Sequence, residues 1–141
     1  MYFCTMARIM AIDFGSVRSG IAITDELQMI ASGLTTVETP NLSDFLSKYI
    51  DENPIDLLLI GLPKTLSNEE GNIESEIQKF INLINQKFPD IPIKRIDERF
   101  TSKMAFQTMI DSGLKKKKRQ DKALIDEISA TLILQSYLYY R

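Results

Sequence analysis

The sequence predicts an α/β fold: one five-stranded mixed sheet, its first three strands antiparallel, flanked by helices. Three observations carry this. Two apolar runs, Ala7–Asp13 and Gly20–Asp25, flank a tight segment holding Gly15, Ser16 and Ser19, which reads as strand, turn, strand. Leu57-Leu58-Leu59-Ile60, between Asp56 and Gly61, suits a strand buried on both faces, as in a parallel sheet. Between and after these strands, apolar residues recur at helical spacing. With 141 residues, 44% hydrophobic and 26% charged, the chain has globular composition and the length of one domain, residues 1–141.

Each element has its own signal. Ile30–Val37, rich in Thr and containing Gly33, is a third strand toward an edge. Thr39-Pro40 marks a helix start, with Thr at the cap and Pro at the first helical position. Leu42, Phe45, Leu46, Tyr49 and Ile50 then form one apolar face, and Asn53-Pro54 ends the helix. Gly61-Leu62-Pro63 breaks the fourth strand, and a polar loop runs to Gly71. Ile73, Ile77, Phe80, Ile81, Ile84 and Phe88 trace a second helix that stops at Pro89. Pro92–Ile96 is the last strand and delivers Asp97-Glu98-Arg99. Thr101 or Ser102 caps a helix with Phe106, Met109 and Ile110 inward, closed by Gly113. Asp121 can cap a final helix running to about Tyr140. The order β-β-β-α-β-α-β-α-α implies a meander followed by right-handed crossovers.

Composition removes several chemistries. There is no histidine, which excludes Ser-His-Asp and Cys-His catalysis and histidine metal ligation. The single cysteine, Cys4, excludes an internal disulfide and a multi-cysteine zinc site. No apolar stretch approaches the roughly 18 residues that span a bilayer, and the N-terminus lacks a signal-peptide core, so a cytoplasmic protein with no membrane partner is expected. Residues 1–5 precede a second methionine, Met6, an alternative start, and carry no functional motif. A net charge of −2 gives no global argument for nucleic-acid binding, so any such argument rests on where the cations cluster.

In an open α/β sheet, sites form beyond the carboxyl ends of parallel strands. Asp13, Gly61 and Glu98 each fall at or next to such an end. Asp13 alone reads equally as a turn former or a ligand. On the last helix, Asp126 shares a stripe with Ser129, Ala130, Ile133 and Tyr137 that should face the sheet, while Glu127 points about 100° away. An acid there is either a solvated first-turn residue or one that needs a partner. Three carboxylates without histidine suggest an oxygen-only site for Mg²⁺ or Mn²⁺ suited to phosphodiester hydrolysis. The cations fit the same substrate. Lys115, Lys116, Lys117, Lys118 and Arg119, with Lys122 following, form a basic run a few residues before Asp126. Such a run is either a solvated loop or a lip that contacts phosphates without reading sequence.

On these residues the chain resembles the YqgF family of RNase H-like, Holliday-junction-resolvase-like nucleases. The matching stretches are Ile12-Asp13-Phe14-Gly15 through Arg18, Gly20 and Ala22; Gly61-Leu62-Pro63; Asp97-Glu98-Arg99-Phe100-Thr101-Ser102 with Ala105; and Asp126 followed by Ala130, Ile133-Leu134-Gln135 and Tyr137-Leu138. The resemblance implies an RNase H-like fold and a metal-dependent nuclease that processes the 5′ end of precursor 16S rRNA in ribosome biogenesis. Its implied catalytic and metal-holding acids are Asp13, Glu98 and Asp126. Arg18 and Arg99 join the basic run as expected nucleic-acid contacts, with Arg99 orienting Glu98 or holding a phosphate. Glu127 and the 64–71 loop are less typical of the family.

Other readings stay open. A Holliday-junction resolvase acting in DNA recombination or repair uses the same site. The Asp-Phe-Gly hairpin also looks like the first phosphate loop of actin-like kinases and Hsp70-type ATPases, although this chain holds only one such hairpin. A third reading is a ribosome-assembly factor that binds RNA without cleaving it. The expected partner is nucleic acid, precursor rRNA or branched DNA, with the protein a monomer or homodimer.

Overall fold

A computed structural model describes the backbone of residues 7–62, 68–97 and 122–140, and the side chains of 7–62, 73–97 and 127–139. Strands β1 (Arg8–Asp13), β2 (Arg18–Thr24), β3 (Ala31–Glu38), β4 (Ile55–Leu62) and β5 (Ile93–Asp97) form one sheet in the order β3-β2-β1-β4-β5. β1 pairs antiparallel with β2, and β2 with β3, while β1, β4 and β5 run parallel. The meander and the crossovers are therefore as the hydrophobic pattern demands, with the Thr-rich β3 at an edge.

Helices α1 (Leu42–Glu52), α2 (Asn68–Lys87) and α3 (Lys122–Tyr140) complete the described elements. Strand alternation divides the core in two. On one face Met10, Ile12, Ile21, Ile23, Leu58 and Ile60 pack with Leu42 and Leu46 of α1 and Ile77, Phe80 and Ile84 of α2. On the other, Ile9, Ala11, Ala22, Leu57 and Leu59 pack with Ala130, Ile133 and Leu134 of α3. β4 thus contributes to both clusters, which is why its sequence is unbroken apolar rather than alternating. No described helix is long and apolar enough to cross a membrane.

α3 crosses the sheet. Near its start, Glu127 lies over Gly33 on the β3 edge, where an added Cβ would collide with the Glu127 carboxylate. Ten residues on, the Tyr137 ring lies 5.4 Å from the Lys94 ammonium of β5, a cation–π contact. Ser129, Ala130, Ile133 and Leu134 are buried between these points, so the small-to-apolar stripe does face the sheet.

One local expectation needs correction. Thr39 does not cap α1. Residues Thr39–Asn41 form a 3-10 turn, and α1 begins at Leu42 with Asn41 before it and no side-chain cap bond. The Thr39 hydroxyl bonds instead to residues of the β1–β2 turn. The helix expected over 101–113, with Phe106, Met109 and Ile110, and the Asp121 cap lie outside the described residues, as do residues 64–67. The polar loop expected to run to Gly71 is corrected in its second half, because α2 already begins at Asn68.

Candidate functional site

The carboxyl ends of β1, β4 and β5 lie along one edge of the sheet. Asp13 closes β1 and is half-buried. Ile9 and Ala11 belong to the α3-side cluster, so alternation puts Asp13 on that same face. Its ladder partner across β2 is Gly20. On the other side, the β1–β4 ladder ends at Ile12–Ile60, which brings Gly61 level with Asp13. Gly61 has the parity of Leu57 and Leu59, again the α3 face. Asp13 therefore stands level with a glycine on each neighbouring strand, Gly20 on β2 and Gly61 on β4, and both glycines are buried.

The loop after Asp13 is pinned from below. The Thr39 hydroxyl donates to the Gly15 carbonyl at 2.5 Å, so the shared contact with Ser19 Oγ, at 2.9 Å, takes its proton from Ser19. Ser19 Oγ in turn accepts the Gly15 N–H at 3.4 Å. Ser19 is fully buried, and this ring satisfies it. The Thr39 N–H also donates to the Val17 carbonyl at 2.9 Å. Gly15 is required sterically, because a Cβ there would meet the Arg18 carbonyl. Phe14 packs its ring on Phe80 of α2, with centroids 5.5 Å apart.

Arg18 opens β2 opposite Glu38 and is half-buried. Its parity matches Gly20 and Ala22, so it shares the face and the edge of Asp13. On β5, Asp97 pairs with Leu62 at the same edge. Lys94 and Ile96 face α3, and Arg95 faces α2. Glu98 lies outside the described residues, as do Arg99, Lys115, Lys116, Lys117, Lys118 and Arg119. Lys122 and Asp126 are described in their helical backbone only. Asp126 immediately precedes Glu127, where α3 begins its crossing of the sheet, and is one turn before the fully buried Ala130. Among the described residues no group of three or more acids, histidines or cysteines is close enough to hold a metal ion.

Sequence reasoning missed one member of this edge. Arg95 makes a bidentate ion pair with Glu74 of α2, Nη2 to Oε1 at 2.9 Å and Nη1 to Oε2 at 3.0 Å. It also donates to the carbonyls of Gly61 at 3.0 Å and Ile60 at 3.4 Å. The guanidinium holds the Glu74 carboxyl below its usual range by hydrogen bonding. The signal in the sequence was the pair of cations Lys94-Arg95 set between the apolar residues Ile93 and Ile96.

A sequence model of the RuvX family, described as Holliday junction resolvase, matches residues 7–140. A protein of Christiangramia forsetii named "Putative pre-16S rRNA nuclease" is 58% identical over 134 residues, which cover 95% of this chain and 99% of that one. One of the same name from Flavobacterium psychrophilum is 57% identical over 133 residues, 94% and 97% of the two chains. Among solved structures, T. thermophilus RuvC in complex with Holliday junction substrate aligns with a TM-score of 0.60 at 14% identity, covering 94% of this chain and 96% of that one. The Fowlpox virus resolvase, in complex with Holliday junction DNA, aligns at 0.58 and 15%, covering 94% and 97%. At such identities the likeness is one of fold, and the fold is RNase H-like. The sequence match begins on the residue before β1 and ends with α3, enclosing the strand-end edge and both glycines beside Asp13, and the chain belongs to the RuvX (YqgF) family of resolvase-like nucleases.

Proposed function

We propose that this protein is a divalent-metal-dependent nuclease that hydrolyses phosphodiester bonds at the edge formed by β1, β4 and β5, and that its substrate is the 5′ end of precursor 16S rRNA. The observation that carries the reading is Asp13 between Gly20 and Gly61 on the α3 face. Glycine at both level positions brings main chain, with no Cβ of its own, next to the carboxylate that would hold a cation. The name shared by the relatives at 57–58% identity supports the choice of substrate.

An oxygen-only donor set fits Mg²⁺ or Mn²⁺, with Asp13, Glu98 and Asp126 as the holding residues. When bound, such ions supply a polarised water and charge stabilisation for the leaving oxygen. The protein's own part is to fix Asp13 at a strand end, to keep the Gly15–Val17 loop low through Thr39 and Ser19, and to offer positive charge for the phosphates. Arg18, Arg99, Lys115, Lys116, Lys117, Lys118, Arg119 and Lys122 are assigned that last role. Residues 1–141 act as one domain, monomer or homodimer, in the cytoplasm where precursor rRNA is found.

A second reading, resolution of branched DNA, is favoured by the family description and by the two junction-bound structures that share the fold. Single-turnover cleavage of precursor 16S rRNA, four-way DNA junctions and single strands in Mn²⁺ decides between them. Faster cleavage of the precursor at its 5′ end is expected, and a preference for the junction turns the assignment to DNA. Asp13→Asn should abolish cleavage of either substrate, because stabilisation of developing charge is typically worth about 10²–10³ in rate. If that variant cuts as fast as wild type, the site is wrong.

A further inference from the structure

A guanidinium on a sheet face must engage its donors or remain costly. Arg95 engages four acceptors on two elements: both Glu74 oxygens on α2 and two carbonyls near the end of β4, Ile60 and Gly61. These carbonyls lie where the β1–β4 ladder stops, at Ile12–Ile60, so Arg95 takes over where backbone pairing with β1 ends. Two residues along α2, Glu76 accepts a hydrogen bond from Ser16 at 3.1 Å, and Phe80 holds Phe14. One stretch of α2 therefore grips the loop after β1 and the ends of β4 and β5. All these contacts lie on the face opposite the Asp13 carboxylate, so they brace the edge from behind.

We propose that Arg95, oriented by Glu74, is a positioning residue that sets the spacing between the ends of β1 and β5, and through it the affinity for the divalent cation. This rests on the nuclease reading above. Arg95 touches neither substrate nor cation. A planar fork is needed because one side chain must meet a carboxylate and two carbonyls at once, a geometry lysine cannot reproduce. Supporting groups behind metal-holding residues typically change metal affinity about 10–100-fold when removed.

The test is Mn²⁺ binding followed by the electron paramagnetic resonance of free Mn²⁺, with full-length wild type, Arg95→Lys, Glu74→Gln and Asp13→Asn. Arg95→Lys and Glu74→Gln should each weaken Mn²⁺ binding about tenfold. At saturating Mn²⁺ their single-turnover cleavage should return to within about twofold of wild type, since the acids themselves are intact. Mn²⁺ binding unchanged in Glu74→Gln overturns the proposal and leaves the pair a fold contact, and so does a cleavage rate that saturating Mn²⁺ does not restore. Should Arg95→Lys fail to fold, Glu74→Gln, on the outer helix, decides alone. Asp13→Asn separates the two ideas: if it binds Mn²⁺ like wild type, the nuclease site itself is misplaced, whatever the brace does.

Discussion

Glu127 of α3 lies against the Cα of Gly33 on β3, filling the space a side chain at position 33 would need. Its place is where the last helix meets the edge strand. Gly33→Ala forces the carboxylate off the strand, and overpacking of this kind costs about 1–3 kcal/mol. Urea denaturation should show that destabilisation, and Glu127→Ala in the same chain should recover most of it. If the double variant is as unstable as Gly33→Ala alone, the contact is not what makes position 33 a glycine.

Gly61→Ala addresses the opposite flank of Asp13. In a strand interior Ala is usually preferred over Gly by roughly 0.5–1 kcal/mol, and at buried Gly61 this gain is set against the packing of the new methyl, so urea denaturation accompanies the activity assay. Cleavage should fall, because the new methyl stands beside Asp13 on the α3 face. A variant that is both stable and fully active would remove Gly61 from the proposed site.

The Ser19–Thr39–Gly15 ring makes a separable prediction. Thr39→Val keeps the shape of residue 39 but removes the donor to Gly15 and the acceptor of Ser19. Leaving buried polar groups unsatisfied costs about 1–3 kcal/mol. Thermal unfolding should report the difference, and amide exchange at Gly15 should quicken relative to the strand interiors. Protection unchanged at Gly15 would mean that the ring does not hold the loop.

The ion pair of Glu74 gives stability a pH dependence. Arg95 lowers the folded-state pKa of Glu74 below its ordinary 4.5. The contribution is therefore fully present above the unfolded pKa and is lost as pH falls through the folded one. Hydrogen bonds from the N–H groups of Ile30 and Met29 likewise lower Asp25 below 3.8, and its contribution fades in the same direction. Stability measured by urea should decline from about pH 5 downward. Glu74→Gln should shallow that decline while leaving the slope near neutrality unchanged.

The basic run is tested by salt. Removing one cation that neutralises a phosphate should reduce the slope of log affinity against log salt by about 0.7–0.9. Replacing Lys115, Lys116, Lys117 and Lys118 by Ala should therefore flatten that slope and weaken binding to many sequences about equally. An unchanged slope would take the run out of the nucleic-acid interface.

What the sequence made legible was what repeats or alternates. The unbroken run Leu57–Ile60 announced a strand with two buried faces, and the spacing of Leu42, Phe45, Leu46, Tyr49 and Ile50 announced α1. Asp13 could be placed at a strand end because the apolar run Ile9–Ile12 stops on it and a glycine-containing turn follows. Hidden were the contacts between residues distant in the chain. Thr39 before Pro40 looks like a helix cap until Gly15 and Ser19, some twenty positions back, claim its hydroxyl. Arg95 reaches Glu74 21 positions away and the Gly61 carbonyl 34 positions away. No local pattern encodes such partners, because they are chosen by the sheet order.

Asp13 owes its surroundings to hydrogen-bond ladders rather than to rotamers. Neighbouring strands sit about 4.7–4.9 Å apart, so the gap from β2 to β4 across Asp13 is roughly 9–10 Å and is fixed by backbone pairing. Within the proposed site, glycine at positions 20 and 61 puts main chain rather than side-chain conformers at the two ladder positions level with Asp13.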